Sequence, residues 1–180
     1  MGTDETLDAY VFVGSGNESA FTKLKGLKGD IVRYATPLLS GSYGALAFVE
    51  VSDPDGLAEL EQKLWRIRDA VNPPSTDTAI KIAQGARAPT RWSDKPPIAA
   101  FVRIRVEAGR ARDVLDATAG FRNYWGSAIV AGSFDILLEL GGQSYRELTG
   151  ALLEELHTVS GITWTDTAFA LNRPKETWAE

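Results

Sequence analysis

The residues whose types and spacing could do chemistry are few, and most of them read as structure. Gly14-Ser15-Gly16-Asn17-Glu18-Ser19 carries the first two glycines of a dinucleotide-binding turn, after a strand-like run and before a helix. The third glycine is missing, and no acidic residue closes a second strand about twenty residues on, where a ribose partner belongs. The stretch reads instead as a tight strand-to-helix turn with Asn17 or Ser19 as N-cap. Glu154-Glu155 are helix neighbours that do not face each other, so they form no general acid–base pair. Asp53-Pro54-Asp55 reads as a helix start. Arg103, Arg105, Arg110 and Arg112 are the one basic concentration; alternation puts Arg103 and Arg105 on one strand face, expected to be a solvated edge with side chains lying over apolar surface. Met1-Gly2-Thr3-Asp4-Glu5-Thr6 fits an N-myristoylation pattern, but no basic cluster follows to supply the second membrane signal. Cysteine is absent and His157 is the single histidine, which excludes thiol nucleophiles, thiolate metal sites and any site needing two imidazoles from one chain. No catalytic residues, metal ligands or cofactor are expected.

The composition agrees with a binding role. At 180 residues with 44% hydrophobic and 24% charged, the chain is an ordinary globular protein, long enough for one large domain or two small ones. A net charge of −5 repels phosphate backbones, so direct nucleic-acid binding is not expected. Apolar runs are a handful of residues, as at Ile136-Leu137-Leu138, and none could span a bilayer. Without a secretory leader pattern, a cytoplasmic protein with no membrane partner is expected.

Positioning these residues falls to a unit written twice. Leu39-Ser40-Gly41-Ser42-Tyr43-Gly44 answers to Val130-Ala131-Gly132-Ser133-Phe134-Asp135, and Thr76-Asp77-Thr78-Ala79 recurs as Thr165-Asp166-Thr167-Ala168 at a nearly equal offset. Strands are expected at 9–14, 31–39, 43–51 and 76–82, with helices at 17–26 and after Asp53. The second copy gives strands at 99–106, 124–130, 134–140 and 162–171, with helices at 110–119 and 144–159. The order is βαββαβ, twice: an α+β fold of two ferredoxin-like repeats. Strands such as Tyr10-Val11-Phe12-Val13 are apolar on both faces, so the two sheets are expected to pack on each other as an α+β barrel of the dimeric kind inside one chain. The expected division is a first repeat at 7–84, a Pro- and Arg-rich linker at 85–97, a second repeat at 98–172 and a tail at 173–180.

The stretch 98–171 resembles the ligand-binding and oligomerisation (RAM) domain of the Lrp/AsnC family of transcriptional regulators. The carrying residues are Phe101-Val102-Arg103-Ile104, the turn Ala131-Gly132-Ser133-Phe134-Asp135, the helix from Leu148 to Leu156, and Val159-Ser160-Gly161-Ile162 leading into Thr165-Asp166-Thr167. Residues 9–82 match the shape but less of the motif, since Gly44 stands where the Asp would be and Asn72-Pro73-Pro74 replaces the Ser-Gly turn. The resemblance implies two tandem RAM-like copies without a helix-turn-helix, binding an amino-acid-like ligand and self-associating as a homo-oligomer, with a regulator as a possible partner. It also implies that Gly132, Ser133, Phe134 and Asp135 line the ligand. Glycine lets the backbone approach a ligand, neighbouring amides can meet a carboxylate, and an aspartate can meet an ammonium. The alternative class is a small enzyme of the same barrel type, oxygenase-like or haem-binding, using Asn123, Trp125 and His157.

Overall fold

The computed structural model describes residues 6–14, 21–22, 24, 31–66, 75–86 and 96–171. The fold is mixed α+β. Among the described residues there are eight strands, all paired antiparallel where the register is resolved, and three α-helices. The chain divides into two compact units, residues 1–81 with 131–133, and residues 82–130 with 134–180.

In the first unit, β1 (Leu7–Val13), β2 (Val32–Pro37), β3 (Ala45–Val51) and β4 (Thr76–Gln84, whose last residues fall in the second unit) lie in the order β2-β3-β1-β4. Val, Phe and Tyr favour the pleated, half-buried surface that these strands build. β1 sits centrally, with Val11 opposite Ala47 on β3 and opposite Thr78 on β4. The turn before helix α1 (Pro54–Arg66) is closed by Asp53, whose Oδ1 accepts the Gly56 N–H at 2.8 Å. Pro54 suits the first helical position, where no N–H is needed. Leu57 and Leu60 point from α1 into a core of Val11, Val13, Ala47 and Val49. The expected helix at 17–26 lies mostly outside the described residues, as does the linker at 87–95; Leu24 is fully buried in the same core.

In the second unit, β5 (Ile98–Val106), α2 (Ala111–Thr118), β6 (Tyr124–Ala131), β7 (Ile136–Gly142), α3 (Tyr145–Glu154) and β8 (Ile162–Leu171) follow in sequence, with strand order β6-β7-β5-β8. Ser144 caps α3, its Oγ accepting the Glu147 N–H at 3.2 Å, and Glu147 Oε2 reaches back to accept the N–H of Gln143, the residue before the cap, at 2.8 Å. The helix expected through residue 159 stops earlier, at Glu154, and a 3₁₀ turn (Leu156–Thr158) completes it. Gly161, at φ +92°, then turns the chain into β8, a conformation that side-chain-bearing residues rarely adopt. Val102, Ile104, Leu138 and Leu140 meet Val114, Leu115, Leu148 and Leu156 in the core.

The sheet faces turned away from these cores are buried as well. Alternation points Phe101 and Leu137 to that side in the second unit, at 2% and 0% exposure, and Tyr10, Phe12 and Leu46 in the first. An antiparallel sheet with one wet face would carry polar residues there.

Where the end of β4 meets β6, the Gly85 N–H donates to Ser127 O at 2.7 Å, and the Tyr124 hydroxyl donates to Ala86 O at 2.7 Å. A Cβ on Gly85 would stand 2.9 Å from the Ser127 carbonyl oxygen and closer still to Ser127 Oγ. Gly85→Ala is therefore expected to cost about 1–3 kcal/mol by overpacking, read from the urea midpoint. Burial raises the Tyr124 phenol above its ordinary 10.0; the Ser127 hydrogen bond opposes that and the Glu139 charge adds to it. The phenol ionises more readily in the unfolded chain, so its contribution to stability is complete below that ordinary value and is lost as pH climbs through the folded one. Stability is expected to fall as pH rises above about 10, and to fall less in Tyr124→Phe.

Candidate functional site

The second face of the second unit carries an unusual inclusion. Strand register sets Arg103 on β5 opposite Asp166 on β8, and Arg105 opposite Trp164. Arg103 is only 6% exposed, and a guanidinium removed from water needs a counter-charge. Asp166 supplies it: Oδ2 accepts from Arg103 Nε at 3.1 Å and from Nη2 as well. The guanidinium also lies 5.8 Å from the Phe134 ring centroid and 5.7 Å from that of Trp164, whose ring takes Arg105 at 5.1 Å. The expected solvated edge is thus corrected for Arg103. Its side chain falls on a face that is covered, and only Arg105, nearer the strand end, stays exposed.

The turn after β6 divides its four expected site residues between two places. Phe134 is 2% exposed and packs under Arg103. Asp135, half-buried, is bonded on three sides: its N–H donates to Ile104 O at 2.9 Å, its carbonyl accepts the Val130 N–H at 2.9 Å, and its Oδ2 accepts the Val106 N–H at 2.8 Å. These bonds delay the start of β7 to Ile136, past the expected position 134. They tie the turn to the end of β5, so Asp135→Ala is expected to cost about 1–3 kcal/mol by stranding the Val106 amide, measured by denaturant titration. Gly132 and Ser133 are exposed and lie against β4. A Cβ on Gly132 would stand 3.0 Å from Thr78 O, and the Ser133 hydroxyl donates to Asp77 Oδ2 at 2.5 Å.

Asp77 collects a second hydroxyl, that of Tyr43, which donates to the same Oδ2 at 3.4 Å. Phe12 is its register partner on β1, and the Phe12 and Tyr43 rings meet at 5.6 Å. Asp77, Asp166 and Arg103 as a paired set escaped the sequence reading. The signal was present in the repeated Thr-Asp-Thr-Ala, which sets both acids at matching strand positions.

Of the residues of the haem-type alternative, Asn123 is engaged in the fold and Trp125 is half-buried on β6. Asn123 is 1% exposed and its amide donates to Gly141 O at 2.9 Å and Glu147 Oε1 at 2.7 Å, bracing the start of α3. His157 is exposed on the 3₁₀ turn. Among the described residues no group of three or more His, Asp or Glu could hold a metal ion, and no helix is long and apolar enough to cross a membrane.

Residues 99–179 match the family model of the Lrp/AsnC ligand-binding domain. No curated protein matches the chain. Among solved structures, a candidate monooxygenase from Lactobacillus acidophilus NCFM is similar at 6% identity and a TM-score of 0.54, over 92% of this chain and 93% of that one. An anthrone oxidase-like protein is similar at 11% identity and a TM-score of 0.52, over 94% and 92%. Escherichia coli AsnC aligns at 14% identity and a TM-score of 0.41, over 68% and 74%. The first two likenesses are ones of fold.

Proposed function

We propose that this chain is a non-catalytic sensing and assembly module that binds a small, amino-acid-like molecule. The match of 99–179 to the Lrp/AsnC ligand-binding domain carries the reading. That stretch contains the Gly132-Ser133-Phe134-Asp135 turn, taken here as the ligand-binding segment: Gly132 and Ser133 face the ligand, while Phe134 and Asp135 anchor the turn.

The finer architecture in this reading is a tandem pair of ferredoxin-like repeats, 7–84 and 98–172, packed sheet to sheet. Three observations support it. The units share the strand order, with β2-β3-β1-β4 answering to β6-β7-β5-β8. Each buries the sheet face away from its helices. Phe12 lies opposite Asp77 as Arg103 lies opposite Asp166. The module works in the cytoplasm as a homo-oligomer, and with a net charge of −5 it reaches nucleic acid only through a regulator partner.

A thermal-shift screen of the full chain against single amino acids tests this. A ligand at a hundred times its dissociation constant stabilises by about 2.7 kcal/mol, a rise in Tm of roughly 5–11 °C for a chain of this size. No shift with any amino acid overturns the reading. The oxygenase-like alternative draws its support from fold alone, and one fold hosts many functions. A Soret band on haem titration, lost in His157→Ala, would favour it.

A further inference from the structure

We infer that the solvent side of α3 docks on the same face of a second copy of this chain, as an antiparallel helix pair about a two-fold axis. The inference deepens the homo-oligomer reading above and rests on it. On the side of α3 away from its buried residues Leu148 and Ala151, the residues Arg146, Thr149, Gly150 and Leu153 fall at i, i+3, i+4 and i+7 and make one stripe. Leu153 is 61% exposed, and Tyr145 beside the stripe is 40% exposed, so a helix of 10 residues presents two large apolar side chains to water. Gly150 sits inside the helix, where glycine costs stability relative to alanine, and a Cβ there would meet nothing within 4 Å. No neighbour at that point requires the missing side chain. A second helix brought close to this one does.

The charges on this face fit the same geometry. Arg146 near the start of α3 and Glu154 at its end are exposed, and neither makes an ion pair among the described residues. Antiparallel pairing centred between Thr149 and Gly150 sets Arg146 against the partner's Leu153 and the partner's Glu154. The arginine stem then covers the leucine while the guanidinium meets the carboxylate, and the two-fold axis repeats the contact. The other two helices are finished differently. On α1, Glu59 and Lys63 pair along the helix at 2.8 Å, and at the start of α2, Arg110 and Asp113 pair at 3.1 Å. Their described exposed residues include no large apolar side chain. A helix of 10 residues is about 15 Å long, and one such pair buries less than a standard interface, so a reversible association of roughly micromolar strength is expected.

Sedimentation velocity of the full chain, across micromolar to millimolar concentrations, tests the inference. Leu153→Glu is expected to weaken self-association at least about tenfold, because the symmetric contact loses two leucines and gains two charges. Gly150→Glu, which has open space within the chain, is expected to do the same by holding the helices apart. Arg146→Glu and Glu154→Arg are each expected to weaken association about fivefold or more. Both suit the helix dipole, so the fold is kept. Mixed in equal amounts, these two variants are expected to regain the parental affinity. The two introduced charges then meet each other, and the native Arg146 of one chain meets the native Glu154 of the other. Asp116→Asn, an exposed change on α2, is expected to associate as the parent does. Unchanged affinity in Leu153→Glu and Gly150→Glu places the contact elsewhere and overturns the inference, while leaving the homo-oligomer reading intact. Loss in the charge variants without recovery in their mixture overturns the antiparallel arrangement. A parent that stays monomeric throughout overturns both the inference and that reading. Should Leu153→Glu fail to fold, the charge variants and their mixture decide.

Discussion

Asp166→Asn is expected to destabilise the protein by about 2–4 kcal/mol, because it leaves the Arg103 guanidinium buried without its counter-charge. The full penalty for breaking a buried pair is moderated here, since the Asp166 side chain is 22% exposed against 8% for Arg103 and water can reach part of the site. Arg103→Phe should behave differently. It leaves the acid, the more exposed partner, opposite an aromatic ring, which is the arrangement that Phe12 and Asp77 already adopt in the first unit. A smaller cost than that of Asp166→Asn is expected, because the charge left without a partner is the more exposed one and water can reach it. Urea midpoints of the two variants check the ordering. If Arg103→Phe is the more damaging, Arg103 is held by something other than its pairing with Asp166.

The second large effect is expected on the sheet face away from the helices. Phe101 is 2% exposed there, while its neighbour Val102 points into the helix-covered core with Leu138. Phe101→Ala is expected to cost about 3–5 kcal/mol, comparable with the 2–5 kcal/mol of Leu138→Ala, because both truncations open a cavity in a closed environment. A Phe101→Ala variant that keeps nearly the parental midpoint would mean that this face is wet in solution, and the sheet-to-sheet packing in the proposed architecture would have to be dropped.

Much of the fold was legible in the sequence because it is set by short-range alternation. Tyr10-Val11-Phe12-Val13 and Ile136-Leu137-Leu138 read as strands buried on both faces, and they are. Tyr124 opens β6 and Ile162 opens β8 at the expected residues. The boundaries that moved did so for tertiary reasons. β7 starts two residues late because Asp135 spends its backbone and carboxylate on Ile104, Val130 and Val106. The last helix tightens into a 3₁₀ turn before Val159 leaves it in an extended conformation.

The site was legible only in part. The Gly132-Ser133-Phe134-Asp135 turn stands out locally, as a glycine between strands followed by an aromatic residue and an acid. Arg103 was misjudged because alternation says which face a side chain takes and nothing of what covers that face. Asp77 was missed because its meaning depends on Ser133, 56 residues away in sequence. No pattern within either segment predicts that approach.

Isothermal titration of the full chain with the amino acid that raises Tm most is the most direct measurement of the central claim. The account predicts saturable binding at one site per chain. Saturation by no amino acid, at concentrations up to the solubility limit, would contradict it.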